Sequence, residues 1–338
     1  LVLSTDAQSF SRSPEPMTRE QASQSGNFFA LDLFQSLKGQ KGNLFFSPTS
    51  IDLALVMTWT GAAGETRRDM SDVLYLKDYS SGDPESVSLA YGSLQNAIVG
   101  TDAPYTLRIA NRLWGQSGYM FRSSFLDLLS RDFGAGLQTV DFEKDSEGAR
   151  QTINTWVEDQ TEDKIKDLLP AGSLGSDVRL VLTNAIYFLG NWQHRFQGSD
   201  TADRPFTLES GKEIRVPTMH QTHSFSYSED ERMQVVALPY QGGDLEMVII
   251  LPRDKGGLPA LEAELNTRHL TEWTTGLERK SVRLWLPKFT LTGEFSLAKV
   301  LGQLGMGRAF SRRADFSGMS DGADLFISDV VHKSFIDV

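Results

Sequence analysis

Three histidines of this sequence are candidates for metal binding or for acid–base catalysis. His220 and His223 are separated by two residues, a spacing at which two imidazoles can share a metal ion, but no carboxylate or cysteine adjoins them. His332 lies near serines and could act as a general base toward a hydroxyl group. The structural alternatives are a histidine pair that only packs and a buried, hydrogen-bonded histidine in a strand. We favour these alternatives and predict no metal site.

The sequence lacks the motifs of the common enzyme classes. It contains no G-x-S-x-G, H-E-x-x-H, Walker or G-x-G-x-x-G pattern. It also contains no cysteine, which excludes disulfides, thiolate metal sites and cysteine nucleophiles. We therefore predict that the protein is not an enzyme and binds no cofactor.

The composition is typical of a globular protein. Of 338 residues, 40% are hydrophobic and 10% aromatic, and the net charge is −11. This acidic balance disfavours nucleic acid as a partner, and no apolar run is long enough to span a membrane. Residues 1–17 are rich in Ser and Pro and are interpreted as a flexible leader, which favours a secreted or periplasmic protein, with an intracellular location as the alternative.

The longest strand pattern begins at Leu325 and ends at Val338. Every second residue from Phe326 onward forms a face with no formal charge unless His332 is protonated. At about 3.3 Å per residue this strand would span about 45 Å, far more than a usual strand. It predicts a large sheet with a core on one side.

Helical patterns dominate the sequence up to residue 170, and strand patterns dominate after it. We predict a buried helix over residues 51–60 capped by Ser50, and a long amphipathic helix over residues 145–169. The apolar run that begins at Val178 and ends at Leu189 predicts a central strand. The interleaving favours a single α+β domain over residues 18–338.

A series of segments, spread from about residue 28 to residue 338, resembles the serpin family in order and spacing. The segments are residues 43–51 (NLFFSPTSI), 61–66 (GAAGET), 109–114 (IANRLW), 153–157 (INTWV), 161–165 (TEDKI), 182–192 (LTNAIYFLGNW), 238–240 (LPY), 286–289 (LPKF), 304–306 (LGM), 314–318 (ADFSG) and 331–333 (VHK). Leu189, where the family usually has Lys, and Thr218, where it usually has Met, are the two departures. The absence of cysteines and of Asn-x-Ser/Thr sites is typical of a prokaryotic-type member.

The resemblance implies a fold and a function. The fold would have three β-sheets, the largest of them central, and about eight or nine helices. The protein would inhibit a serine protease, or a cysteine protease, as a suicide substrate: an exposed reactive loop is cut and inserts into the large sheet before the acyl-enzyme is hydrolysed. The gap for insertion would lie between the strand from Val178 to Leu189 and the strand from Leu325 to Val338. The alternative is a non-inhibitory serpin that acts as a carrier, chaperone or storage protein.

The resemblance also implies two groups of site residues. The shutter, a polar cluster beneath the opening strands, would consist of Ser47, Ser50, Asn184 and His332. The breach, where the loop first enters, would consist of Trp192, Thr201, Met219 and Lys288.

Three further expectations follow from the resemblance. The reactive bond and the final strands are expected to lie beyond Val338, so that this chain would be truncated before the reactive loop and would pair with its own C-terminal fragment. Residues 84–99 contain Glu85 but no Lys or Arg. Heparin activation through that helix is therefore not expected.

Overall fold

The structure is a computed structural model that describes residues 15–79, 84–100, 104–321 and 325–338. Most of the predicted leader, residues 1–14, lies outside the described residues. The described residues form nine α-helices: α1 Arg19–Leu37, α2 Pro48–Trp59, α3 Gly64–Val73, α4 Pro84–Val99, α5 Ser123–Phe133, α6 Ser146–Gln160, α7 Leu258–Glu264, α8 Thr267–Thr274 and α9 Ala298–Leu301. None of these helices is long and apolar enough to cross a membrane.

The strands form a large sheet and a second one. They are β1 Tyr105–Gln116, β2 Leu137–Val140, β3 Leu180–Gly190, β4 Ala202–Thr207, β5 Glu213–Glu229, β6 Met233–Pro239, β7 Glu246–Pro252, β8 Glu278–Pro287, β9 Thr290–Ser296 and β10 Asp329–Asp337. The large sheet has the order β2-β1-β3-β10-β9. In the second sheet β5 pairs with β4 and β8 over most of its length and with β6 at its end.

This architecture confirms the predicted α+β class, the large central sheet and the number of helices. Two of the three predicted sheets are joined in the described part of the chain, because the single long strand β5 belongs to both. A single long strand can belong to two sheets when its two ends pair with different neighbouring strands.

Helix α2 is buried on all sides behind the large sheet. Ten of its residues, from Ser50 to Trp59, are buried. The helix begins at Pro48, and the hydroxyl of Ser47 accepts a hydrogen bond from the Ser50 amide at 3.4 Å. The prediction that Ser50 caps this helix was wrong, because Pro48 suits the first helical position and moves the cap to Ser47.

One carboxyl group of α2 lies in the core. Asp52 is 2% exposed, and it lies close to Gly26 of α1, where an added Cβ would be 2.7 Å from Asp52 Oδ2. The hydroxyl of Tyr91 in α4 lies beside Asp52 and is the polar group that affects its pKa, but Asp52 Oδ1 and this hydroxyl do not form a hydrogen bond of ordinary geometry. Burial raises the pKa of Asp52 to about 8, so this carboxyl is protonated at neutral pH.

Helix α6 lies across the front of the large sheet, where Ile153 and Val157 pack with residues of β3 and β10. It ends at Gln160, so the predicted helix over residues 145–169 was too long. Glu162 and Asp163 have positive φ, and the chain turns there. The side chain of Asn154 then binds both the amide and the carbonyl of Leu169, at 2.8 and 2.9 Å. The helical periodicity of the sequence extends past Gln160 because the segment after the turn also buries its apolar residues in the cluster that contains Ile153 and Val157.

The two central strands are shorter at their starts than predicted. Strand β3 begins at Leu180 rather than Val178 and continues past Leu189 to Gly190, and β10 begins at Asp329 rather than Leu325. Leu325 is buried in the core, and the Ile327 amide binds the Ala309 carbonyl at 3.0 Å instead of a neighbouring strand. The alternating pattern before Asp329 thus reflects burial outside the sheet.

Candidate functional site

The two central strands, β3 and β10, meet along a seam. They are parallel and pair directly over seven residue pairs, from Val181 with Asp329 to Tyr187 with Phe335. Beyond the last pair the strand ends separate, and a cavity of about 200 Å³ lies between them. Residues 188–190, Trp192, Tyr240 and residues 335–338 line most of this cavity. The seam is therefore closed along its length and open at one end.

A row of polar side chains crosses the sheet at the seam. Asn184 of β3 is in register with Asn111 of β1 on one side and with His332 of β10 on the other. All three side chains are buried, and the cluster of Asn111 and Asn184 reaches Ser50 of α2. A buried polar row of this kind must have its hydrogen bonds satisfied internally.

The hydrogen bonds of this polar row form a connected network. Asn184 Oδ1 accepts from Ser50 Oγ at 2.9 Å and from His332 Nδ1. Asn184 Nδ2 donates to Asn111 Oδ1, and Asn111 Nδ2 donates to the Ser50 carbonyl at 3.1 Å. The network therefore joins three strands to the first turn of α2.

His332 is held in its neutral form. The Ser47 amide donates to His332 Nε2 at 3.1 Å, so Nε2 carries no proton and Nδ1 is the donor to Asn184. Burial lowers the pKa of His332 to about 3. An uncharged imidazole that both accepts and donates is thus a link in the network, and both of its nitrogens are occupied by hydrogen bonds within it.

The structure brings together the four residues predicted for the shutter, Ser47, Ser50, Asn184 and His332, and adds Asn111. Asn111 stands in one of the family-like segments, but its place in the row depends on its register with Asn184. Register could not be read from the sequence, because the alternation along a strand indicates which face each residue occupies but not which residues pair across two strands.

Next to the polar row, strand β9 lies very close to the backbone of Phe45, which precedes α2. Ser334 of β10 donates to the Phe45 carbonyl at 3.1 Å, and Gly293 of β9 is in register with Ser334. A Cβ at Gly293 would lie 1.8 Å from the Phe45 oxygen. Only glycine allows this contact without movement of the backbone.

We expect Gly293→Ala to lower the free energy of unfolding by about 3 kcal/mol, because the added methyl group must displace the backbone of residue 45 or separate β9 from it. Urea denaturation followed by circular dichroism measures the change. Gly198→Ala is the matched control, since nothing lies within 4 Å of a Cβ there. A loss at Gly293 no larger than at Gly198 would contradict the prediction.

The residues predicted for the breach fall into two groups. Trp192 stacks on Tyr240 with a centroid distance of 4.5 Å, and it packs with Met219 and Val338 in one apolar cluster at the open end of the seam. Thr201 instead closes a short turn through its amide and the Gly198 carbonyl at 3.2 Å. Lys288 is exposed and lines a separate groove on the second sheet.

The two histidines considered for a metal site point to different partners. His220 stacks on Trp285 at 4.6 Å, whereas His223 stacks on His194 at 3.5 Å. Residues 220 and 223 have opposite parity on β5, so their side chains leave opposite faces. Within the described ranges, no group of three or more His, Asp and Glu side chains could hold a metal ion.

The fold and the seam define a class of protein: an α+β protein built on a large sheet whose two central parallel strands are neighbours over a buried polar network. A sequence model of the family described as serpin (serine protease inhibitor) matches residues 24–338. The chain belongs to the serpin family.

Individual relatives agree with this assignment. Leukocyte elastase inhibitor from Bos taurus is 42% identical over 329 residues, which are 94% of this chain and 86% of the relative. An uncharacterized serpin-like protein from Thermococcus kodakarensis is 39% identical, over 92% of this chain and 71% of the relative. Among solved structures, uncleaved ovalbumin matches with a TM-score of 0.89 and 28% identity, over 94% of this chain and 89% of that structure.

Proposed function

We propose that the protein inhibits its target protease by inserting a cleaved reactive loop as a new strand between β3 and β10. The geometry of the seam is the main support for this proposal. Its two strands are parallel and central, and its open end lies where a chain leaving β10 would turn back. A strand entering there would run antiparallel to both neighbours, and it could form hydrogen bonds on both edges.

Three free-energy terms decide whether the cut loop inserts. Insertion replaces one ladder of seven parallel pairs with two antiparallel ladders. Each added hydrogen bond contributes about 0.5–1.5 kcal/mol, against about 1–2 kcal/mol for ordering each residue. Burial of the side chains of the new strand at about 25 cal/mol per Å² then decides the balance. On this account the closed seam is the less stable arrangement, held by a kinetic barrier.

We propose that the network of Ser47, Ser50, Asn111, Asn184 and His332 controls the opening of the seam, as expected for a shutter. Its hydrogen bonds cross from β3 to β10 through a single atom, Asn184 Oδ1. Polar groups can exchange partners as the strands separate, whereas apolar side chains would leave a cavity. Helix α6, which packs on Val181 and Val331 across the seam, has to shift when the strands part.

The target we propose is a serine protease, first of all one of the elastase type, with a cysteine protease as the alternative. The support is the family assignment and the 42% identity to a protein named leukocyte elastase inhibitor. The bond that is cut would lie in the loop that follows β10. We propose no catalytic activity for the protein itself, and no metal or cofactor.

We also propose that chain following the loop packs against the second sheet. A groove of about 580 Å³ there is lined mainly by apolar side chains, among them Phe206, Ile214, Val216 and Phe289. Such a surface is costly to leave in water. Helix α4 carries no Lys or Arg, so we propose no heparin activation through it. We propose a secreted or periplasmic location, with an intracellular one as the alternative, and cell fractionation would distinguish them.

The decisive experiment mixes the protein, carrying its reactive loop, with a panel of serine and cysteine proteases. We expect a complex with at least one serine protease that survives boiling in detergent, because the acyl-enzyme is trapped by insertion. The same protease with its catalytic serine blocked is the control and should give no complex. Cleavage of the loop without a stable complex from any protease would instead favour the carrier, chaperone or storage role.

A further inference from the structure

The outer face of the second sheet carries a cluster of aromatic and cationic side chains. Trp285 of β8 is 36% exposed, and the ring of His220 from β5 stacks on it with a centroid distance of 4.6 Å and an angle of 10°. The guanidinium carbons of Arg204 and Arg283 each lie 5.1 Å from the centre of the same ring. We call these four residues the cationic face.

The strand register places no carboxylate beside the cationic face on the three strands that form it. Positions that share it are the even residues of 202–206 and 214–226 and the odd residues of 279–287, and none of these is Asp or Glu. Within the described ranges, neither Arg204 nor Arg283 makes an ion pair. Two neighbouring arginines without an ion pair are unusual in a chain with a net charge of −11, where acidic residues outnumber basic ones.

Stacking prepares the two arginines for binding. A free arginine side chain loses rotamer entropy when a ligand fixes it, and contact with an indole ring already restricts its conformations before the ligand binds. Since both guanidinium groups lie 5.1 Å from one ring centre, they are at most about 10 Å apart. Carboxylates two residues apart in an extended peptide are spaced by about 7 Å, which suits this separation.

We propose that the cationic face binds an acidic polypeptide segment of a partner protein, with Arg204 and Arg283 each taking one carboxylate. Guanidinium groups bind carboxylates through paired hydrogen bonds. Trp and Arg are also the residues that most often dominate the binding energy of protein interfaces.

Two other anionic partners fit the face less well. Single-stranded nucleic acid needs open aromatic surfaces on which bases stack, but His220 and the two guanidinium groups already occupy the ring of Trp285. A sulfated or phosphorylated polymer gains affinity from many cation contacts, and two arginines supply few. The face is also separate from the seam, so this binding is independent of loop insertion.

The test measures binding of a poly-glutamate peptide at low ionic strength, by titration calorimetry and by Trp fluorescence. The variant Arg204→Gln/Arg283→Gln should bind at least about tenfold more weakly than the unmodified protein. The matched control is Arg312→Gln/Arg313→Gln, which removes the same charge from two exposed arginines elsewhere and should change affinity less than about twofold. Unchanged circular dichroism of both variants shows that they fold.

Three results would overturn the proposal. They are no binding of poly-glutamate, an equal loss of affinity in the two double variants, and Arg-dependent binding of heparin or a single-stranded oligonucleotide without binding of poly-glutamate. Arg283→Lys should keep the charge but lose the paired hydrogen bonds, so its affinity should fall between those of the unmodified protein and the double variant. Formation of protease complexes is expected to be the same in all variants.

Discussion

Replacing His332 with alanine is expected to lower the free energy of unfolding by about 4 kcal/mol at pH 7.5. The substitution leaves the Ser47 amide without its acceptor and removes one of the two donors to Asn184 Oδ1. An unsatisfied buried group costs about 1–3 kcal/mol, and the cavity left by the imidazole adds to this. Denaturation in urea, followed by Trp fluorescence, gives the value.

The His332 substitution should also change the response to acid. Burial lowers the pKa of this histidine to about 3, whereas the unfolded value is about 6.5. The unfolded chain therefore binds more protons between these values. The contribution of the neutral imidazole is complete above pH 6.5 and is lost as the pH falls toward 3, by about 1.4 kcal/mol per unit.

The difference in stability between the unmodified protein and His332→Ala should therefore shrink by about 2 kcal/mol from pH 7 to pH 5. His223→Ala, at an exposed histidine, is the matched control and should show no comparable loss of stability at pH 7.5. A constant difference over this range would mean that His332 is not buried as the structure has it.

Replacing Asp52 with asparagine is expected to raise the free energy of unfolding by about 2–3 kcal/mol at pH 7.5. Burial raises the pKa of Asp52 to about 8, well above the unfolded value of about 3.9. Folding must therefore protonate this carboxyl, which costs about 1.4 kcal/mol for each pH unit above 3.9 until the folded pKa is reached. Asparagine avoids that cost, although its amide has few partners in this apolar site.

The change in the free energy of unfolding caused by Asp52→Asn should depend on pH. The gain from Asp52→Asn should be absent near pH 4, should grow as the pH rises, and should level off near pH 8. Asp127→Asn, the same substitution at an exposed position on α5, should show no such growth. A variant less stable than the unmodified protein at pH 8 would show that the carboxylate has partners that stabilise its charged form.

Much of the candidate site could be predicted from the sequence, because the segments around Ser47, Asn184 and His332 resemble a known family. The end of α6 could not, since the turn after Gln160 depends on a distant contact between Asn154 and Leu169. Periodicity alone does not distinguish a helix from a segment that returns to the same apolar cluster.

The cationic face could not be predicted from the sequence, for a related reason. Arg204, His220 and Arg283 are far apart in the sequence and form no basic run. They meet only because β5 lies between β4 and β8 in a fixed register. Properties that depend on strand register are not visible in the order of residues.

The open end of the seam separates the start of strand entry from its completion. The last pair before the cavity is Tyr187 with Phe335, and the polar row lies three pairs deeper, at Asn184 with His332. A strand could therefore enter to a shallow depth before it disturbs any hydrogen bond of the row. Residues near Trp192 would set how often entry is attempted, and the row would set how many attempts reach full depth. Damage to the row would then favour molecules halted part of the way in.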